Sequence, residues 1–365
     1  GVMCPTYRAA DEEIQATRGR ANLLRQAMSG DLPEGEIFTE EFEDEVLDLC
    51  IGCKGCAKDC PSEVDMAKMK TEVEHARHER DGAGLREKLF ANVDTLSKVG
   101  SRLAPLSNAA SKLPGARWAM EKTVGIAAER SLPTFHRESF ADWMTNREPA
   151  VSESEAERKA LLLPDTHTNY NAPGQGKAAV RVLESAGVHV RLAENAGSSG
   201  RPPLSKGFVD EAREKARENV DALATEVEDG WDVVVVEPSD AVMLQSDYHD
   251  LLAGDDVDAV SAATYGVFEY LDPAGEGSLV YHGHCHQKAT KKDHHAVGVL
   301  RRAGFAVEPL DSTCCGMAGS FGYEAEHHSM SEAIGRILFE QVDEADGEEV
   351  VAPGASCRTQ LGDRD

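Results

Sequence analysis

The sequence has no apolar run long enough to span a bilayer, and no signal peptide can be recognised in it. Aromatic residues make up only 5% of the 365 residues, and 38 Lys and Arg face 65 Asp and Glu. The formal charge of −27 argues against nucleic acid or an anionic membrane as a general partner. This pattern favours a soluble protein of a high-salt cytoplasm, where charge repulsion is screened, and an ordinary acidic protein is the alternative.

Nine cysteines are present, and most of them are grouped. Four have the spacing C-x2-C-x2-C-x3-C followed by proline, namely Cys50, Cys53, Cys56 and Cys60 before Pro61. This is the bacterial ferredoxin pattern for a [4Fe–4S] cluster, whereas zinc sites usually use two separated pairs of ligands. Grouped cysteines also indicate metal ligation in a reducing compartment rather than disulfides.

Cys4 also precedes a proline, as the last cysteine of a ferredoxin motif does. In two-cluster ferredoxins the Cys before each proline ligates the other cluster. Cys4 then ends an earlier run that lies upstream of Gly1, and because the chain has no initiator Met we expect it to be a fragment. On this interpretation Cys4, Cys50, Cys53 and Cys56 hold one cluster and Cys60 belongs to a second. Alternatively, Cys60 closes its own cluster and Cys4 is free.

Helical patterns flank this motif and predict a helical ferredoxin-like module over residues 1–80. Thr17 is predicted to cap a helix that runs to about Met28 with Ala21, Leu24 and Ala27 or Met28 on one face. Arg18 and Arg20 in this helix either stabilise a reduced cluster near Cys4 or are solvated. A short acidic helix is predicted over 41–49. Ser62 and Asp65 resemble a capping box for a helix with Met66, Met69, Val73 and Ala76 on one face.

Residues 81–150 are predicted to form a helical connector broken by prolines. Between residues 98 and 130 six basic residues outnumber two acidic ones: Lys98, Arg102, Lys112, Arg117, Lys122 and Arg130 against Glu121 and Glu129. This local reversal of charge favours a solvated connector, and the alternatives are docking of an acidic partner domain or of a membrane face. The charged stretch 147–158 marks a domain boundary.

Short apolar strands alternate with helices from residue 160 onward. The predicted strands include 161–163, 188–190 and 233–236, and helices are predicted over 174–186 and 208–227. Such alternation predicts βαβ units with a parallel sheet covered on both faces. The predicted fold class is therefore α + α/β, a helical ferredoxin-like module followed by a Rossmann-like cysteine-rich domain over 151–365.

This C-terminal region contains an internal repeat with an offset of 117 residues, since the pattern at 179–187 recurs at 296–304. The register places Ser198 and Ser199 opposite Cys314 and Cys315, Asp240 opposite Cys357, and Thr168 opposite Cys285. A degenerate copy over about 158–255 and a cysteine-bearing copy over 275–365 are therefore expected.

Four thiols follow the ends of three predicted strands in the second copy: Cys285, Cys314, Cys315 and Cys357. The carboxyl ends of parallel strands meet at one edge of a sheet, so these thiols are predicted to enclose a second iron–sulfur centre. His282, His284 and His286 alternate around Cys285. Each is expected to be an ordinary loop residue, and His284 and His286 are the stronger candidates for a ligand, a proton or a hydrogen bond to sulfide. Iron is thus expected at two distant places.

The amino-acid sequences of these cysteine-containing segments resemble those of a known family. Cys314-Cys315-Gly316, with Cys285 upstream and Cys357 downstream, is similar to the cysteine-rich CCG domain of heterodisulfide reductase, of the iron–sulfur subunits of glycolate oxidase and anaerobic glycerol-3-phosphate dehydrogenase, and of fused FAD-linked 2-hydroxyacid dehydrogenases. The blocks 281–288 and 314–323 resemble the fused type most.

The resemblance implies an oxidoreductase region that passes electrons from FAD, held in a part preceding Gly1, through clusters to an external acceptor such as a quinone or a carrier protein. D-lactate, glycolate and D-2-hydroxyglutarate are the substrates it implies, and its partner is an FAD-binding oxidase domain in the same polypeptide or in another subunit. The expected location is cytoplasmic or peripheral at the inner face of the membrane. No catalytic side chain is predicted in this chain.

Two departures from the family's cysteine pattern keep other hypotheses about the function open. The first copy has Ser198-Ser199 in place of Cys-Cys, and only Cys357 stands where heterodisulfide reductase has a closing Cys-x-x-Cys. One alternative function is a thiol–disulfide enzyme that resembles heterodisulfide reductase, and the other is a docking module with zinc in the C-terminal site.

Overall fold

The computed structural model describes residues 4–10, 12–33, 35–60, 64–271 and 276–364. Helices form the first part of the chain: α1 Pro5–Ala10, α2 Thr17–Met28, α3 Glu40–Phe42, α4 Gly55–Asp59 and α5 Met66–Asp81. Single 3-10 turns lie at Glu13–Gln15 and Glu36–Phe38, and a π-turn lies at Glu43–Leu47. Their apolar faces share a core of Leu24, Phe42, Val46, Leu47 and Met66. None of the helices in the described ranges is long and apolar enough to cross a bilayer.

Helix α2 has the predicted bounds and buries the predicted face of Leu24 with Ala21, but its cap differs from the prediction and Met28 does not belong to that face. Ala16 is its N-cap, and Thr17 is the first helical residue. Met28 is 73% exposed, while Arg20 is buried beside Leu24. At the start of α5, Asp65 caps the helix by accepting hydrogen bonds from the amides of the second and third helical residues. Ser62, the other half of the predicted capping box, lies outside the described residues.

The connector is helical, as predicted: α6 Leu85–Ala91, α7 Val93–Arg102, α8 Leu106–Ala110, α9 Ala116–Val124 and α10 Phe140–Thr145. Arg130, the last basic residue of the stretch 98–130, is 2% exposed. The guanidinium donates to the carbonyl of Gly322 at 2.9 Å and to the hydroxyl of Ser331 at 2.7 Å, and it pairs with Glu332 at 2.9 Å. The interpretation of the whole stretch as a solvated connector is therefore wrong at Arg130, which fastens it to the C-terminal part.

The first sheet contains the strands β1 Arg158–Leu163, β2 Val188–Leu192, β3 Asp232–Val235 and β4 Thr264–Gly266. All pairs are parallel in the order β2-β1-β3-β4. The apolar runs 161–163 and 233–235 are almost fully buried, because helices cover both faces. The accompanying helices are α11 Pro173–Ser185, α12 Arg201–Leu204, α13 Val209–Glu228, α14 Pro238–Val242, α15 Tyr248–Leu251, α16 Asp255–Ala262 and α17 Val267–Tyr270, with π-turns at His167–Asn171 and Met243–Asp247. Strand β4 was not predicted and carries the sheet beyond residue 255.

The second sheet has three parallel strands in the order β6-β5-β7: β5 Ser278–Tyr281, β6 Ala306–Pro309 and β7 Glu349–Val351. It is accompanied by α18 Cys285–Ala289, α19 Asp293–Arg302, α20 His328–Glu344 and α21 Ala355–Gly362, and by a 3-10 turn at Phe321–Tyr323. Mixed helices with small parallel sheets confirm the predicted α + α/β class. The cysteines follow the carboxyl ends of these strands, as the sequence predicts.

Candidate metal centres

The ferredoxin loop between Cys50 and α4 curls through two left-handed residues. Gly52 has φ +62° and Lys54 has φ +58°. This conformation is ordinary for glycine but costs free energy for lysine. Lys54 is held by an ion pair with Asp247, and both side chains are almost completely buried. An interaction with the first sheet therefore stabilises the turn that brings the thiols together.

The thiols of this loop converge with Cys4. Burial raises the pKa of Cys53 well above its usual range, and the charges of Cys285, Cys50 and Cys4 raise it further. Cys56 accepts a hydrogen bond from the amide of Met66 at 3.4 Å, the kind of bond that stabilises a metal-bound thiolate. Cys60 takes part in none of these interactions; its amide bonds back to the carbonyl of Cys56.

Arg18 and Arg20, near the start of α2, have different environments. Arg20 Nη1 lies 3.6 Å from Cys4 Sγ, and the same guanidinium donates to the carbonyl of Val46 at 2.8 Å. Arg18 is exposed and pairs with Glu13 at 2.7 Å. Of the two possibilities left open by the sequence, a cation beside the cluster thiol fits Arg20 and solvation fits Arg18.

The four C-terminal thiols are in contact in the order Cys285, Cys314, Cys315, Cys357. Cys314 and Cys357 donate to Cys315, and with His282 they lower the pKa of that thiol well below its usual range in spite of burial. The last three are also almost fully buried, and all nine cysteines are free. This donor set fits an iron–sulfur centre, because thiolates are the ligands that such clusters require.

The three histidines each have a specific place, which differs from the prediction. His282 lies nearest the thiols: its ring, Cys315 and Cys357 offer ligand atoms within 4.8 Å of one another, and its buried Nε2 has no hydrogen-bond partner among the residues that the structure describes. His284 lies beside Glu237 at 3.8 Å. His286 Nε2 is 3.0 Å from the carbonyl of Gly52, so it contacts the ferredoxin loop.

Glycines give the thiols their space. At Gly316 φ is +94°, and a Cβ there would lie 2.4 Å from the carbonyl oxygen of Ser331. A Cβ on Gly354 would lie 2.3 Å from a ring carbon of His284 and 3.3 Å from Cys357 Sγ. Both positions exclude any larger residue unless the site shifts.

The two groups of thiols adjoin, so the expectation of two distant places is wrong. Helix α4 packs against α18, and Cys53 and Ile51 lie in one apolar cluster with Cys285, Cys314 and Cys315. A cavity of about 1260 Å³ is lined by residues of the helical module and of both sheet regions, including Cys50 and all four C-terminal thiols.

The first sheet supplies charged residues to the same cavity, and no sequence pattern indicates their role. Asp247 binds Lys54 with one oxygen and Arg201 Nη1 at 3.1 Å with the other. Glu237 accepts a hydrogen bond at 2.8 Å from the amide of Ala355, at the start of the helix that carries Cys357. Burial and the charge of Asp165 raise the pKa of Glu237 to about 7. The contacts of Asp247 with Lys54 and of Glu237 with Ala355 join residues more than 100 positions apart, which local patterns do not reveal.

Two family models match the chain at these two groups of thiols. Residues 2–64 match the 4Fe-4S dicluster domain, and residues 279–362 match the cysteine-rich domain called CCG. The chain is thus an iron–sulfur protein in which a dicluster ferredoxin domain precedes a CCG domain.

The chain is related to oxidoreductase components. It is 29% identical over 344 residues to one subunit of the anaerobic glycerol-3-phosphate dehydrogenase of Escherichia coli, covering 90% of this chain and 86% of the relative. It is 25% identical to the glycolate oxidase iron-sulfur subunit of the same organism, with 98% and 86% covered. The D-2-hydroxyglutarate dehydrogenase of E. coli is 24% identical over 98% of this chain, which spans only 40% of that relative.

Proposed function

We propose that the chain is the iron–sulfur electron-transfer region of an FAD-dependent 2-hydroxyacid dehydrogenase of the D-lactate, glycolate or D-2-hydroxyglutarate type, relaying electrons from a flavin to an external acceptor. The observation that carries this proposal is the contact of Cys53 with the C-terminal cysteine cluster. Two centres that adjoin in a buried setting suit transfer of single electrons, the chemistry that iron–sulfur clusters supply when bound.

The proposed ligands follow the contacts between thiols. Cys4, Cys50, Cys53 and Cys56 hold one [4Fe–4S] cluster, and Cys60 serves a second. In the first site the Met66 amide and Arg20 donate to sulfur and balance its negative charge. A separate centre, distinct from the cluster that Cys60 serves, is assigned to the C-terminal thiols Cys285, Cys314, Cys315 and Cys357, with His282 beside them.

Substitution at Cys4 and Cys60 distinguishes the two assignments of the fourth ligand. Anaerobically purified Cys4→Ala is expected to lose the electron paramagnetic resonance signal of the cluster at the ferredoxin loop, because one of its four thiolates is gone. Cys60→Ala is the matched control and should retain that signal. The reverse result would assign Cys60 to this cluster and free Cys4.

We infer that the two sheets are copies of one βαβ unit. In support, the first strand of each sheet lies between the next two strands along the chain, and the hydrogen bond from Ser199 to Asp240 corresponds in the repeat register to the contact of Cys315 with Cys357. The proposed domains are 1–80, 81–150 and 151–365. The flavin part lies outside this chain, in the same polypeptide or in a partner subunit. The proposed location is cytoplasmic, either free or peripheral at the inner face of the membrane.

Cys315→Ser tests the electron-transfer role in the enzyme assembled with its flavin component. Reduction of the flavin by the hydroxyacid should be unchanged, whereas reduction of the acceptor should slow, because Cys315 contacts two other thiols of the C-terminal site. Unchanged turnover with the acceptor would remove this site from the path. Oxidation of a reduced viologen dye by a disulfide would favour the thiol–disulfide function, and zinc without acid-labile sulfide would favour the docking module.

A further inference from the structure

Helix α7 of the connector buries its small polar side chains and exposes apolar ones, which is the reverse of an ordinary surface helix. The residues it buries are small and polar, with Ser97 3% and Ser101 4% exposed. Its apolar residues Leu96 and Val99 face outward and are 44% and 49% exposed. A surface helix of a globular protein normally turns its apolar stripe to the core.

Packing on the inner side fixes this orientation. A Cβ on Gly100 would lie 2.8 Å from the ring of Phe135, and the hydroxyl of Ser101 donates to the carbonyl of His136. The hydroxyl of Ser107, in α8, donates to the carbonyl of Gly100 at 2.7 Å. The helix therefore cannot rotate its apolar side chains inward without losing a close-packed contact.

Further exposed apolar side chains follow along the chain, in α8, in α9 and in the segments on either side of α8. Six of the ten large apolar side chains that are exposed among the described residues fall between positions 96 and 118: Leu96, Val99, Leu103, Leu106, Leu113 and Trp118. We call these six, together with Lys98, Arg102 and Lys112, the connector surface. An apolar concentration of this kind marks an interaction site.

The charge of the connector surface is opposite to that of the protein. Residues 95–120 contain no Asp or Glu, although the chain has 65 of them. Within the described ranges its three cations are exposed and have no carboxylate partner. The flanking carboxylates are neutralised, because Asp94 pairs with Lys215 at 2.7 Å and Glu121 lies 3.6 Å from Lys122.

We propose that the connector surface lies on an anionic lipid surface. Leucines and a tryptophan flanked by Lys and Arg are the composition of helices that lie in the membrane interface. Lysine is depleted from protein–protein interfaces, which makes a protein partner the weaker match. This inference rests on the proposed location at a membrane and names the surface and the lipid chemistry.

Vesicle binding by the purified, cluster-loaded protein tests the inference. The protein should bind vesicles of phosphatidylglycerol and phosphatidylcholine and bind pure phosphatidylcholine weakly. Replacing the three cations by Ala should weaken binding about 100-fold at 0.1 M salt, since each contributes about 1 kcal/mol. That loss should shrink at 1 M salt, where the screening length falls to about 3 Å.

A second variant tests the apolar contribution. Leu103→Glu with Leu106→Glu should abolish vesicle binding at either salt concentration. The matched control carries Met28→Glu with Val350→Glu, two exposed apolar residues outside the connector surface, and should bind like the unchanged protein. Trp118 emission should shift to the blue on adding anionic vesicles, and Trp118→Phe should remove the shift.

Iron content, acid-labile sulfide and dye reduction report on the clusters and on electron transfer, and they should be equal in all variants. A change in vesicle binding alone therefore tests the connector surface and not the proposed electron transfer. Failure of the cluster-loaded protein to bind anionic vesicles overturns the inference and leaves electron transfer standing. Equal losses in the Leu103/Leu106 variant and its control overturn it as well. Loss of self-association or of flavoprotein binding instead, with vesicle binding intact, assigns the surface to a second copy or to the flavin component.

Discussion

The buried ion pair between Lys54 and Asp247 gives the sharpest test of how the ferredoxin loop is held. Asp247 is 2% exposed, and its two oxygens bind Lys54 and Arg201. Asp247→Asn removes the only negative charge of this group and leaves two cations close together. Breaking a buried pair by removing one partner costs about 3–5 kcal/mol, because a charge stays buried without compensation.

The matched control is the pair of Lys68 and Asp250, which lie 2.7 Å apart with both side chains 46% exposed. Asp250→Asn should cost about 1 kcal/mol or less, because water screens the exposed pair. The assay is anaerobic urea unfolding of the cluster-loaded protein, followed by far-ultraviolet circular dichroism and by the visible absorbance of the clusters.

A double-mutant cycle with Lys54→Met isolates the interaction of the pair. The double variant should be more stable than Asp247→Asn alone, because the buried ammonium is then absent. Asp247→Asn and Asp250→Asn could instead lower the free energy of unfolding equally, or the coupling energy could be near zero. Either result would refute the view that the pair of Lys54 and Asp247 holds the loop against the first sheet.

Two further predictions concern the second sheet. Gly316→Ala should abolish the C-terminal centre while sparing the signal of the ferredoxin cluster, because its Cβ would strike a carbonyl of α20; Gly319→Ala, with φ +67° but open space, should retain both centres. Burial opposes the charged form of His327, but hydrogen bonds to Asp48 and Glu324 outweigh it and raise its pKa to about 9. The folded-state pKa exceeds the usual value of about 6.5, so this stabilisation is complete below about pH 6.5 and is lost as pH rises through about 9. Urea midpoints measured from pH 6 to pH 10 should show this loss, and His327→Gln should lack it.

Local patterns were sufficient to predict the strands other than β4, and the position of the C-terminal thiols after the ends of the second sheet's strands. Continuous apolar runs such as 161–163 must be buried on both faces, and cysteine spacing is set by the geometry of a cluster loop. The same reasoning predicted that Cys285 and Cys357 lie at one edge of a sheet, because parallel strands place their carboxyl ends together.

Contacts between distant parts of the chain were not accessible in this way. The proximity of Cys53 to Cys285 depends on how α4 packs against α18, across more than 200 positions of sequence. Whether His282, His284 or His286 lies nearest the thiols depends on which side of the loop faces them. The periodicity of α7 predicts a helix but does not say which of its faces is buried, and here the polar one is.

The burial of Arg130 has a consequence for how the chain behaves when it is cut. Its guanidinium binds a backbone carbonyl and side chains of the second sheet region, although it follows the exposed loops of the connector. A protease that nicks the backbone near Pro114 should therefore leave residues 115–130 fastened to the second sheet region, and the piece before the cut should stay attached through the pairs of Lys54 with Asp247 and Arg86 with Glu326. The ferredoxin module and the sheets are therefore expected to unfold together, as one cooperative unit, rather than as independent domains.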